Sequence, residues 1–164
     1  MNLATSRQIS TYSDWANTQI LAAAGALTDV QLDQPFDMSR GTLRRTLLHT
    51  YAGEHVWLQR CQGHAETPWI DEDEPAAVAA IRERFAATWR ERDAFLAALT
   101  DGSLARMQTY RDSYGTLFQA ALGDMLLQMH LHSTHHRAQL VNMLRRLGAP
   151  PIELDYMYWR RQPS

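Results

Sequence analysis

The stretch LGDMLLQMHLHSTHHRAQLVNMLRRLG, residues 122–148, places four histidines inside one amphipathic pattern. Leu122, Met125 and Met129, then Leu140, Met143 and Leu147, recur at the three-and-four spacing of a single helix face. His132 and His136 fill the gap in that stripe. Residues four apart stand one above the other on a helix, so their imidazoles can converge on one point, the spacing of a metal-ligand pair. His130 and His135 fall on neighbouring faces and are left out of the site. Ordinary core or rim histidines are the alternative reading of each residue alone. A co-facial pair inside an apolar stripe is less ordinary, because two buried imidazoles each need a polar partner and one divalent ion could serve both.

The rest of the chain supplies three more helices. Residues 6–27 carry Ile9, Tyr12, Ala16, Ile20, Ala23 and Leu27 at helical spacing, with Thr5 or Ser6 as cap. Pro35 and Gly41 mark DVQLDQPFDMSRG, residues 29–41, as a connection. A second helix over 42–62 has a bulky face of Leu43, Leu47, Trp57, Leu58 and Cys61, with Glu54 in its midst. A second face of small residues, Thr42, Thr46, Gly53 and Val56, also holds His49, the large polar group on that side. Small side chains admit a neighbouring helix or a ligand. Either would put His49 in an interior pocket, and a surface histidine is the plain alternative.

HAETPWIDEDE, residues 64–74, is an acidic connection longer than most helix-to-helix turns, able to cross the bundle end. It reads as a solvated run with no ligand role, and Pro75 suits the first turn of the next helix. That third helix, residues 75–99, follows a nearly heptad pattern from Val78 to Leu99. RMQTYRDSYGTLFQ, residues 106–119, alternates weakly around Asp-Ser-Tyr-Gly and predicts two short extended segments. Gly148, Pro150 and Pro151 stop the fourth helix. The aromatic tail beyond them is expected to pack across the bundle.

Four such helices predict an all-α four-helix bundle in one domain over residues 1–164, with a long crossover between the second and third helices. Bundles build metal sites in the core from side chains on facing helices. His49 lies near the middle of the second helix, and His132 and His136 near the middle of the fourth, so all three can sit at one depth. The length suffices for a core without disulfides, and Cys61 is the one cysteine, read as a packing residue. A formal net charge of -2 gives no basic footprint for nucleic acid. No apolar run approaches the ~20 residues of a membrane span, and MNLATSRQISTYSDWANTQ has no signal-peptide pattern. A soluble cytoplasmic protein is expected.

Three blocks in order resemble the DinB family of damage-inducible bacterial proteins, also called DinB/YfiT-like. They are YSDWAN at residues 12–17, GTLRRTLLHTYAGEHVWLQRCQG at 41–63, and HLHSTHHRAQLVNMLRRLGAPP at 130–151. The third is the most specific: a His, three residues, then His-Arg and usually Gly-Gln-Leu, with Ala138 standing for that glycine. The resemblance implies a DinB/YfiT-type bundle holding a divalent metal, zinc or nickel, on His49, His132 and His136. Three imidazoles leave a fourth position for water or a substrate atom, as in catalytic zinc sites. A neutral ligand set leaves the ion's charge undiminished, which acidifies a bound water or thiol. The resemblance further implies a metal-dependent enzyme, of S-transferase or isomerase type, acting with a low-molecular-weight thiol on an electrophile. Metal-dependent hydrolysis and a non-catalytic metal-binding stress protein are the alternatives. Glu54 is a candidate to orient a histidine, or else to pair with Arg137 or Arg92. Tyr12, Trp15 and Asn17 either line the pocket or pack the first helix. A homodimer is expected because relatives often pair and Tyr156, Tyr158 and Trp159 crowd the tail.

Overall fold

The computed structural model describes residues 1–161. Four long helices carry the fold: α1 (Leu3–Ala24), α3 (Leu43–Cys61), α4 (Val78–Ala97) and α5 (Leu122–Arg146). A single turn of helix, α2 (Asp29–Leu32), lies in the first connection, and α6 (Tyr156–Arg160) lies in the tail. A 3-10 turn at Asp101–Ala105 precedes an antiparallel hairpin of β1 (Met107–Arg111) and β2 (Leu117–Ala121). Its register runs from Met107 opposite Ala121 to Arg111 opposite Leu117. The two predicted extended segments are this hairpin, and Gly115 supplies the left-handed residue of its turn at φ 84°.

Helix starts follow their caps. Thr42 accepts a hydrogen bond from the Arg45 amide to open α3. Asn2, rather than Thr5 or Ser6, caps α1 by accepting from the Thr5 amide, so that helix begins one turn earlier than its apolar pattern suggests. Pro75 stays outside α4, whose N-cap is Ala77. α2 is opened by a capping box between Thr28 and Gln31, a local signal inside a segment whose composition reads as loop.

α5 packs between α1 and α3, and α4 touches α1 and α3 from the other side, so the helices form a ring in the order α1, α5, α3, α4. Consecutive long helices α1 and α3, and likewise α4 and α5, therefore stand across the bundle from one another. The core is split in two. One cluster gathers Ile20, Leu47, Leu48, Phe85, Leu140 and Leu144, and the other Leu3, Leu58, Leu96, Leu122, Leu126 and Met129. Between them runs a buried polar layer: Ser10, Ser13 and Asn17 from α1, Glu54 from α3, Arg92 from α4, and His130, Ser133 and Arg137 from α5. The inward face of α1 is thus serine-lined over its first half, whereas Ile9 and Tyr12 are only half-buried.

The tail packs across the bundle. Tyr12 donates to the Leu154 carbonyl oxygen at 2.5 Å, and its ring meets those of Tyr156 and Trp159 at centroid distances of 5.2 and 5.8 Å. Two of the three tail aromatics are spent inside the chain, while Tyr158 and Met157 are exposed. No helix among the described residues is long and apolar enough to cross a membrane.

Candidate metal centre

His49 projects from α3 toward α5, and His132 and His136 project from α5 toward α3. One nitrogen from each lies within 4.8 Å of the other two. Close approach depends on Gly53, one turn beyond His49 on the same face. A Cβ at that position would collide with the His132 imidazole. The small-residue face of α3 thus admits a histidine from the facing helix.

Hydrogen bonds fix how the rings present themselves. His49 Nδ1 donates to Glu72 Oε1 at 2.5 Å and His136 Nδ1 donates to Gln139 Oε1 at 2.7 Å, which leaves the Nε2 lone pair of each facing the cluster. His132 Nε2 stands 3.2 Å from His49 Nε2. Two ligand nitrogens of one tetrahedral ion at Zn–N of about 2.0–2.1 Å stand about 3.3 Å apart, so the spacing fits a shared cation. His132 Nδ1 is buried with no partner. An orphan of that kind costs about 1–3 kcal/mol unless the ring gains something in return, and ligation through Nε2 supplies it.

Burial pushes the His132 imidazolium down to about 3, helped by repulsion from His136 and His49. The same two causes, burial and His49, bring His136 down to about 4. Both rings are therefore neutral near pH 7, the form that binds metal. His49, His132 and His136 make a donor set able to hold one divalent ion.

A DinB family model matches residues 1–163. The chain belongs to the DinB family. Three solved structures share its fold. A DinB-like protein from Bacillus cereus ATCC 10987 aligns with TM-score 0.74 at 22% identity, over 93% of this chain and 97% of that one. A DinB family member from Shewanella denitrificans aligns with TM-score 0.66 at 17% identity, over 96% of each chain. YfiT from Bacillus subtilis, described as a probable metal-dependent hydrolase with an unusual four-helix bundle topology, aligns with TM-score 0.58 at 20% identity, over 88% of this chain and 89% of that one. No curated protein matches the sequence.

Other DinB-motif residues lie apart from the histidines. Glu54 orients none of them and makes no ion pair with Arg137 or Arg92. It is 2% exposed, and its carboxylate accepts from Asn17 Nδ2 at 2.7 Å, Ser133 Oγ at 2.6 Å and Trp89 Nε1 at 2.8 Å, binding all four long helices together. Arg92 pairs bidentately with Asp14 instead, at 2.8 and 2.7 Å. Arg137 donates to Ser13 Oγ and Thr134 Oγ1 and lies over the Tyr12 ring. Asn17 joins Glu54 to Ser133 and Arg137, and Tyr12 borders a separate surface hollow with Arg137. Glu54, Arg92, Arg137 and Asn17 belong to the polar layer of the bundle, because the serines of α1 leave room for long polar side chains between the two apolar clusters. His130 belongs to the same layer, with Nε2 3.2 Å from Ser10 Oγ, and His135 is exposed.

The residue that sequence reasoning missed is Glu72. The acidic connection is not wholly solvated: Glu72 is 7% exposed and accepts from His49, from Trp69 Nε1 at 2.6 Å and from Arg40 Nε at 2.7 Å. Burial raises its pKa, but the three hydrogen bonds together outweigh burial and hold it below the usual glutamate value. No spacing rule singles it out from Asp71, Asp73 and Glu74. Trp69 and Ile70, just before it, are the apolar residues that mark this loop as turning inward, and Ile70 packs against the core. A cleft of about 700 Å³ opens beside the centre, bordered by His49, His132, Trp69 and Glu72 at one end and by Trp57, Arg60, Tyr110 and Phe118 at the other.

Proposed function

We propose that this protein is a divalent-metal-dependent enzyme that activates a low-molecular-weight thiol for attack on an electrophile. The observation that carries the reading is three histidines converging on one point at the edge of a cleft of small-molecule size. A divalent ion, zinc or nickel, on three uncharged ligands supplies an undiminished positive charge that favours the ionised form of a thiol or of water. Glu72 and Gln139 hold the His49 and His136 rings in the tautomer that ligates through Nε2. Trp69 shields the His49–Glu72 pair on the cleft side, with its ring 5.2 Å from that of His49.

Glu72, the carboxylate bonded to the histidine centre, and Glu54, deeper in the bundle, already accept three hydrogen bonds each. Neither is free to take a proton from water, which favours a nucleophile that ionises readily without a general base. A thiol, with pKa about 8.5 for a cysteine-like group, meets that condition better than water.

Hydrolysis is the second reading, favoured by the description of the fold neighbour YfiT. Cobalt-substituted protein distinguishes the two. Glutathione, bacillithiol, mycothiol or cysteine should change its visible spectrum, with apparent affinity rising with pH up to about 8.5, where the free thiol itself ionises. Thiol transfer to a model electrophile should need metal and vanish in His49→Ala. Silence with every thiol, together with metal-dependent turnover of an ester or amide, would replace this reading with the hydrolase.

A further inference from the structure

Arg60 lies eleven residues after His49 on α3, about three full turns, so both residues point from the same helix face with Gly53 and Val56 between them. It is 6% exposed, and it lines the far end of the cleft whose near end the histidines border. Its guanidinium rests against two rings that pack on each other, with Cζ 5.0 Å from the Trp57 centroid and 5.3 Å from that of Tyr110, and the two centroids 5.2 Å apart. One nitrogen, Nη2, donates to the Arg111 carbonyl oxygen at 2.7 Å, while Nε is buried without a partner. Among the described residues Arg60 forms no ion pair. The other two arginines of the cleft are occupied, Arg40 by Glu72 and Arg45 by Asp73. The carboxylate on the hairpin beside Arg60, Asp112, is turned into its own loop, where Oδ1 accepts from the Tyr114 and Thr116 amides.

A desolvated cation without a hydrogen-bonded carboxylate is costly unless an anion arrives to meet it. Its position in the last turn of α3 favours a positive charge. That does not account for the unpartnered Nε or for the aromatic pair beside it, which orients a planar fork toward a carboxylate. We infer that the small molecule used at the histidine centre is an elongated organic carboxylate, whose anionic end binds Arg60 and whose apolar body lies against Trp57, Tyr110 and Phe118. The inference rests on the reading that the cleft beside the three histidines is the active site. Length follows from the helix: eleven residues at 1.5 Å rise separate the two positions by roughly 16 Å of axis, so a ligand reaching both carries its charge far from its reacting group. Charge number follows from the walls. Four carboxylates, Asp71, Glu72, Asp73 and Asp112, against three arginines leave the walls net negative, which opposes a polyanion such as a nucleotide and leaves Arg60, the arginine without an ion pair, to hold one carboxylate.

The test compares biphenyl-4-acetate with its neutral primary amide by calorimetry, using the full chain with and without zinc. The acid should bind about tenfold tighter than the amide or better, as expected for a charge-assisted hydrogen bond. Arg60→Met should erase the difference and Arg60→Lys should restore part of it. In the unmutated protein, the Arg60 Nε–H resonance should shift on adding the acid and stay in place with the amide, which keeps the test valid should Arg60→Met fold poorly. Equal affinities, no binding of either compound, or a preference that survives in a folded Arg60→Met would overturn the inference and leave Arg60 as a tie between α3 and the hairpin. Loss of metal binding or of thiol chemistry would sink the proposed function without touching the acid preference, so the two failures are distinguishable.

Discussion

Single atoms decide the centre. Glu72 fixes the His49 ring through Nδ1, and removing a carboxylate of that kind typically weakens metal binding about 10–100-fold. Glu72→Ala should therefore reduce zinc affinity by that factor in competition with a chelator while leaving the metal-free melting temperature nearly unchanged, since Arg40, its ion-pair partner, is 44% exposed and regains water. A purely structural Glu72 would give the reverse pattern. Gly53→Ala should be as damaging as loss of a histidine, because the added methyl group occupies the space of the His132 ring. Elemental analysis of that variant should show metal content well below one per chain, against near-normal content for His130→Ala. The histidines themselves were legible in the sequence because i, i+4 spacing on a helix is a geometric statement. Glu72 was not, because a loop residue has no periodicity to place it, and an acidic run looks the same whether one of its members turns inward or none does.

The long helices were legible as elements because their apolar stripes repeat over about 20 residues, and Thr42 and Gly148 mark their ends with local chemistry. The face of α1 was not. Hydrophobic spacing points to Ile9 and Tyr12, yet Ser6, Ser10 and Ser13 are the buried residues, since this helix faces a polar layer there and small hydroxyl side chains are what fit. That layer makes the bundle sensitive to acid. Burial brings His130 down to about 3 in the fold, helped by repulsion from Arg92 and Arg137, against about 6.5 in the unfolded chain. Between these values the unfolded chain binds the proton and the folded one does not, so stability rises with pH across that window and is lost as pH falls through it. His132 and His136 act in the same sense in metal-free protein. Asp14 opposes them: burial raises it to about 6, so its contribution grows as pH falls from about 6 toward 4. Three groups outweigh one. Urea unfolding of metal-free protein should show a midpoint that drops between pH 6.5 and 4, and His130→Leu should flatten that slope. Within the same layer, Glu54→Ala should cost on the order of 3–5 kcal/mol, because Asn17, Ser133 and Trp89 all lose their acceptor at once.

At the scale of the molecule, the centre joins α3 to α5, which stand side by side in the ring yet lie far apart in sequence, with α4 and the hairpin between them. A homodimer stays a proposal resting on the exposed tail residues Met157 and Tyr158, since Tyr156 and Trp159 are engaged with Tyr12. Light scattering at micromolar concentration decides it, and a monomer would end it. An ion held between α3 and α5 would have a firmer consequence. An ion that binds the folded chain and not the unfolded one stabilises by RT ln(1 + [L]/Kd), about 2.7 kcal/mol at one hundred times Kd. For a chain of this length each kcal/mol moves the melting temperature by about 2–4 °C, so saturating zinc should raise it by roughly 5–10 °C. His49→Ala removes the α3 ligand and leaves both α5 ligands in place. It should abolish the shift even though i, i+4 histidines on one helix still offer a surface for weak binding. A shift that persists in His49→Ala would mean that the ion sits on α5 alone, with no link to α3 and no enclosed point for a substrate to approach from the cleft.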